Sequence, residues 1–217
     1  MKGYKAVIAL VILTIIAQLF AYAANLAIPF ILEALDIGNF SRWLPIATNI
    51  IYLASKLLLL IAYAVAAFGL ARGEKSKAPL LILATSCLLG MTINLGNIIT
   101  NIWALTTEDS YAILSTLYPI IGVASLITTT VTAAGLIWLG AVVRPVALRI
   151  TSIIFAITQI IVTLFYRFAT PYLWDYIFAS KFIRVLYTAA TFIIDFGPEL
   201  LFFAAFIHFA QSLKVRN

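Results

Sequence analysis

The chain has 217 residues, of which 64% are hydrophobic and only 10% charged, with a mean hydropathy of +1.11. Soluble domains carry about a quarter charged residues, so this composition excludes a soluble globular class and points to membrane immersion. The net charge of +6 is divided among short loops, which leaves no basic surface broad enough for nucleic acid, and no nucleic-acid partner is expected.

An α-helix needs about 20 residues to cross the hydrocarbon of a bilayer, and six apolar runs meet that length. The first spans about 6–31. It is too long for a signal-peptide core and lacks a small-residue cleavage site followed by a polar domain, so it is expected to be a retained helix. It carries Gln18, Tyr22 and Asn25 at helical spacing. The second, 44–71, carries Asn49, Tyr52 and Lys56; the third, 78–104, carries Asn94, Asn97 and Asn101 and is interrupted by Gly90 and Gly96. The fourth, 112–143, has Ser125, Thr128 and Thr132. It exceeds what a bilayer requires and contains Pro119, which predicts a tilt or a broken first turn at the membrane surface. The fifth, 150–168, offers Gln159 and Thr163. A connection over 168–183 holds Tyr172, Trp174, Tyr176, Phe178 and Phe182, and with Trp43 and Trp103 it reads as an interfacial aromatic belt. The sixth run, 184–210, carries Thr188, Thr191, Asp195 and Glu199. The expected fold is an all-α integral membrane protein, a single transmembrane domain over 1–217 built as a bundle of six transmembrane helices.

Loop charges predict the orientation. Lys2, Lys5, Arg72, Lys75, Lys77, Arg144, Arg149, Lys214 and Arg216 gather on one side, against Arg42, Arg167, Lys181 and Arg184 on the other. Positive residues favour the cytoplasm, so both termini are expected there, in the cytoplasmic (cell) membrane, and an even number of spans fits.

Every run carries one polar stripe, and amide or carboxyl groups left in hydrocarbon cost several kcal/mol each, so the stripes should face a shared interior. Lys56, Asp195 and Glu199 lie near mid-span. Ionisable groups at that depth mark either function or a structural pair. With one lysine and two acids the cluster has an excess negative charge, so one carboxyl should hold a proton or share a bound cation. This trio is the candidate coupling or ion site, and Gln18, Asn25, Asn49, Asn94, Asn97, Asn101 and Gln159 are the candidate lining of a polar cavity. Gly197 and Pro198 separate the two acids and predict a kink that frees the carbonyls of Ile193 and Ile194, as in the discontinuous helices of transporters. The competing reading is a Lys56–Asp195 ion pair that clamps spans two and six.

One cysteine, Cys87, and one histidine, His208, exclude an intramolecular disulfide, a cysteine metal cluster and two-histidine haem ligation, so neither a metal nor a cofactor is expected. No nucleophile or acid–base set is recognisable, and catalysis is not expected. The sequence therefore reads as a small transporter or channel-like protein moving a cation such as a proton or sodium, or a small polar solute. The alternative is a non-catalytic subunit of a larger membrane complex. Ala17/Ala21 and Ala23/Ala27 have the small-xxx-small spacing that docks helices, which would suit partner membrane subunits or a homo-oligomer in the lipid bilayer. The six-span layout, cytoplasmic termini, short loops and polar outer half are similar to the substrate-binding membrane subunits of energy-coupling-factor vitamin transporters, a resemblance that implies a solute-binding subunit.

Overall fold

The computed structural model describes residues 3–34, 43–71, 74–106, 110–170, 172–173, 176 and 180–214, with backbone alone for 25–34, 110–114, 181, 184 and 213–214. Its elements are α1 (Gly3–Ala34), α2 (Leu44–Val65) continued by a π turn (Ala66–Leu70), α3 (Lys77–Thr106), α4 (Ser110–Val142), α5 (Val146–Leu164) continued by a second π turn (Phe165–Ala169), and α6 (Lys181–Lys214). Among the described residues, six helices are long and apolar enough to cross a membrane. Each packs on its neighbour in the chain and α6 returns to α1, so the six close into a ring.

The close-packed core occupies the half of the ring that holds the two chain ends. It joins Val7 and Val11 of α1, Leu59 to Ala71 of α2, Leu80 to Cys87 of α3, Ala133 to Val143 about the end of α4, Leu148 to Ala156 of α5 and Phe202 to Ala210 of α6. Phenylalanines at helical spacing on α6 anchor it. Phe202 stacks on Phe206 at 5.9 Å and meets Phe155 of α5 at 5.5 Å, while Phe206 meets Tyr63 of α2 edge-on at 5.5 Å. Such aromatic pairs add about 0.5–1.5 kcal/mol each beyond their buried area.

The α4–α5 hairpin shows how sequence sets a turn in this setting. Pro145 drives the residue before it out of helical geometry and ends α4, and α5 starts again at Val146. Arg149 in its first turn donates from Nε to the carbonyl of Gly140 at 3.2 Å. A Cβ on Gly140 would sit 3.1 Å from the carbonyl oxygen of Arg149, a backbone atom with little freedom to move.

Three local expectations are corrected. α4 runs unbroken through Pro119 and α6 unbroken through Pro198, so neither a broken first turn nor a discontinuous midplane segment forms. Each proline forfeits a single backbone bond, and long flanking helical stretches with packed neighbours carry that loss. α5 with its π turn extends from 146 to 169, which places Arg149 and Arg167 on helix rather than in loops. The Arg167 guanidinium lies so close over Gly122 of α4 that any Cβ there would overlap it.

Tyr172, Tyr176 and Phe182 of the aromatic connection are exposed, as are Trp43 and Trp103, while Trp174 and Phe178 lie outside the described residues. His208 is exposed near the end of α6.

Candidate functional site

Six helices in a ring bring their mid-span residues to one level. Lys56 lies midway along α2, Gly90 along α3, Thr128 and Thr129 along α4, Gln159 along α5, Glu199 along α6 and Gln18 along α1. At this level a cavity of about 190 Å³ opens inside the ring. Lys56, Ser86, Ser125, Thr128, Thr129, Thr132, Gln159 and Glu199 supply its polar wall, and Leu59, Tyr63, Leu83, Leu136 and Phe155 join it to the core below.

Each charged group is held by a specific neighbour. The stem of Lys56 lies against Gly90 of α3, where a Cβ would meet Cγ, Cδ and Cε at 3.5–3.6 Å, ordinary van der Waals contact. Glu199 accepts a hydrogen bond from Gln18 Nε2 at 3.1 Å, tying α6 to α1. Gln18 is only 5% exposed, and its carbonyl oxygen has no partner among the described residues. Lys56 and Glu199 feel one another's charge across the cavity, yet among the described residues no ion pair joins Lys56 to either acid.

Asp195 takes a different direction. Its Oδ2 accepts from Tyr166 of the second π turn at 2.9 Å, and it is not part of the cavity lining. Among the described residues the expected Lys56–Asp195 clamp is therefore not formed, and Glu199 is the group that feels the charge of both.

The hydroxyl walls are chemically biased. Ser86 donates to the carbonyl of Leu83, Thr128 to Ala124 and Thr132 to Thr128. With those protons engaged by their own helices, these oxygens present acceptor lone pairs. Thr129 and Thr163 share a hydrogen bond of 3.1 Å that links α4 to α5.

One helical turn toward the loop end, an aromatic layer joins α1, α2 and α6. Tyr22 meets Tyr52 at 6.3 Å, Phe192 at 5.3 Å and Phe196 at 5.7 Å, and the two phenylalanines stack at 5.6 Å. Tyr22 follows Gln18 by four residues, Tyr52 precedes Lys56 by four and Phe196 precedes Glu199 by three, so the rings stand directly over the polar groups of their own helices.

Of the residues singled out from the sequence, the structure brings Lys56, Glu199 and Gln159 to one cavity and places Gln18 on Glu199. The other amides lie elsewhere: Asn49 donates to the carbonyl of Pro45, Asn94 to Gly90 and Asn101 to Asn97. Neither these nor Asn97 line the cavity, and the side chain of Asn25 lies outside the described residues. Sequence reasoning passed over Ser86, Cys87 and Thr129. The signal for Ser86 was its place four residues before Gly90, on the α3 face that receives Lys56. Among the described residues no cluster of three His, Cys, Asp or Glu could hold a metal ion.

Comparison with models of known protein families, with curated proteins and with solved structures gives no match.

Proposed function

We propose that this protein binds a small polar solute or cation in its midplane cavity and passes it across the cell membrane, with both termini in the cytoplasm and without catalysing a reaction. Lys56 and Glu199 carry the recognition. Gln18 holds Glu199 in place, and the hydroxyls of α4 with Gln159 complete the wall. The single supporting observation is a lysine and a glutamate that share one cavity at mid-bundle without pairing. Ionisable groups are rare at this depth because each is costly there, and a protein that retains two has a use for their charge. The aromatic layer of Tyr22, Tyr52, Phe192 and Phe196 then serves as the gate on the loop side, and the packed Phe202 to Ala210 region as the barrier on the terminal side.

Flux in liposomes tests the reading. Wild type is expected to move proton, sodium or a small solute, Glu199→Gln to abolish that movement while remaining folded, and Asp195→Asn to retain it at reduced rate. Absence of flux for every probe, with wild-type behaviour of all variants, would turn the search toward partner subunits.

That second reading, a non-catalytic subunit of a larger complex, draws support from an apolar cleft of about 550 Å³ between α1 and α6, lined by Leu19, Tyr22, Ala23, Thr188, Ala189, Phe192 and Ile193. Small residues at Ala23 and Ala189 leave the room a partner helix would use. Co-purification of a second membrane protein that is lost in Ala189→Leu would favour it.

A further inference from the structure

We propose that the cavity is built for a small zwitterion, a solute carrying one carboxylate and one ammonium and about the size of a short amino acid. This rests on the cavity being a solute site, and it narrows what the solute is.

Charge balance comes first. The charged groups that line the cavity are Lys56 and Glu199, one of each sign, while Asp195, bonded to Tyr166, acts on Glu199 from outside the lining. A bare cation would leave Lys56 without a counter-charge, and a bare anion would leave Glu199 without one. A zwitterion leaves it neutral and also gives each fixed charge a counter-charge, which a neutral polyol does not.

Donor and acceptor chemistry agrees with this division. Lys56 contributes an ammonium with three donors and makes no hydrogen bond or ion pair among the described residues, so it can receive a carboxylate. A solute ammonium needs about three acceptors. Glu199 keeps one carboxylate oxygen beyond the one engaged by Gln18, and the oxygens of Ser86, Thr128 and Thr132 have already donated their protons to their own helices. Separation of the two fixed charges is itself informative. Side chains meant only to neutralise one another would close to contact, whereas Gly90 holds the lysine stem against α3 and Gln18 holds the carboxylate from α1, with the cavity between.

Size sets the limit. A volume of about 190 Å³ is somewhat above the cavity of about 150 Å³ that takes a benzene, so a short amino acid fits.

The experiment is calorimetric binding to the full chain in lipid nanodiscs, with glycine, alanine and β-alanine as zwitterions, and methylammonium, acetate and glycerol as single-charge and neutral probes. At least one zwitterion is expected to bind about 10–100-fold more tightly than any of the other three, the effect of one charge-assisted contact. Lys56→Gln should shift the preference toward methylammonium and Glu199→Gln toward acetate, a reversal that a merely structural role for either side chain would not produce. Gel filtration establishes that each variant is folded. Glycerol binding as tightly as the zwitterions would overturn the inference and leave the solute cavity standing, as would methylammonium binding most tightly to wild type. No binding of any probe by folded wild type would overturn the inference, and the cavity as a transport site would then stand or fall on sodium and proton flux in liposomes.

Discussion

Lys56 and Glu199 are the pair whose energetic coupling the geometry constrains most. Two unit charges in contact at 4 Å interact by about 4 kcal/mol at an effective dielectric of about 20. These two share a cavity without touching, so their coupling should fall to about 1–3 kcal/mol. Lys56→Gln and Glu199→Gln, made singly and together, isolate that quantity by reversible unfolding in mixed detergent micelles. Each single variant should be less stable than the double, because each leaves one half-buried charge without its opposite. Additivity within about 0.5 kcal/mol would show that the charges do not sense one another and would refute the shared cavity. A larger coupling of Lys56 to Asp195, measured with Asp195→Asn, would refute the assignment of Asp195 to Tyr166.

Tyr166→Phe removes the hydrogen bond to Asp195; because the pair is half exposed, a loss of about 0.5–1 kcal/mol is expected in unfolding measurements, falling to near zero in an Asp195→Ala background, which has no acceptor for the hydroxyl. Gly140→Ala should be less stable than Gly69→Ala by about 1–3 kcal/mol in the same assay, since its new Cβ presses on the Arg149 carbonyl whereas that of Gly69 finds Val65 at 4.0 Å; equal stability would contradict the close α4–α5 approach. Cys87 is 3% exposed yet lines the cavity, so a small water-soluble thiol reagent should label it slowly. Tyr22→Ala combined with Phe196→Ala should speed that labelling at least about tenfold, equivalent to about 1.4 kcal/mol less free energy for opening, and an unchanged rate would remove the aromatic layer as a gate.

Much of the candidate site was legible as depth and very little as direction. Lys56, Glu199, Gln159 and the threonines of α4 could be placed at mid-span because rise along a helix is fixed per residue. Asn49, Asn94 and Asn101 share the same kind of periodic stripe, but in the folded chain their amides bond the carbonyls four residues back on their own helices. A side chain with a local backbone partner has no need of the interior, and spacing alone does not reveal which of the two it takes. The contact of Lys56 with Gly90 was hidden for the converse reason: it joins two helices, and the spacing along either one does not reveal it.

What the sequence by itself determined is the set of six helices, with ends placed to within a few residues. Lipid offers no partner to an open backbone, so every apolar run long enough must satisfy its hydrogen bonds within itself, and that condition is written in one dimension. Only the tertiary structure decided which acid faces the lysine. Asp195 and Glu199 stand four residues apart and so differ by only about 40° around α6 at 3.6 residues per turn. That small angle, with the rotation of α6 set by Phe202, Phe203 and Phe206 in the core, turns Glu199 to Gln18 and the cavity and leaves Asp195 to Tyr166 on the flank of α5. Helix rotation is settled by packing against neighbours, which no single segment encodes.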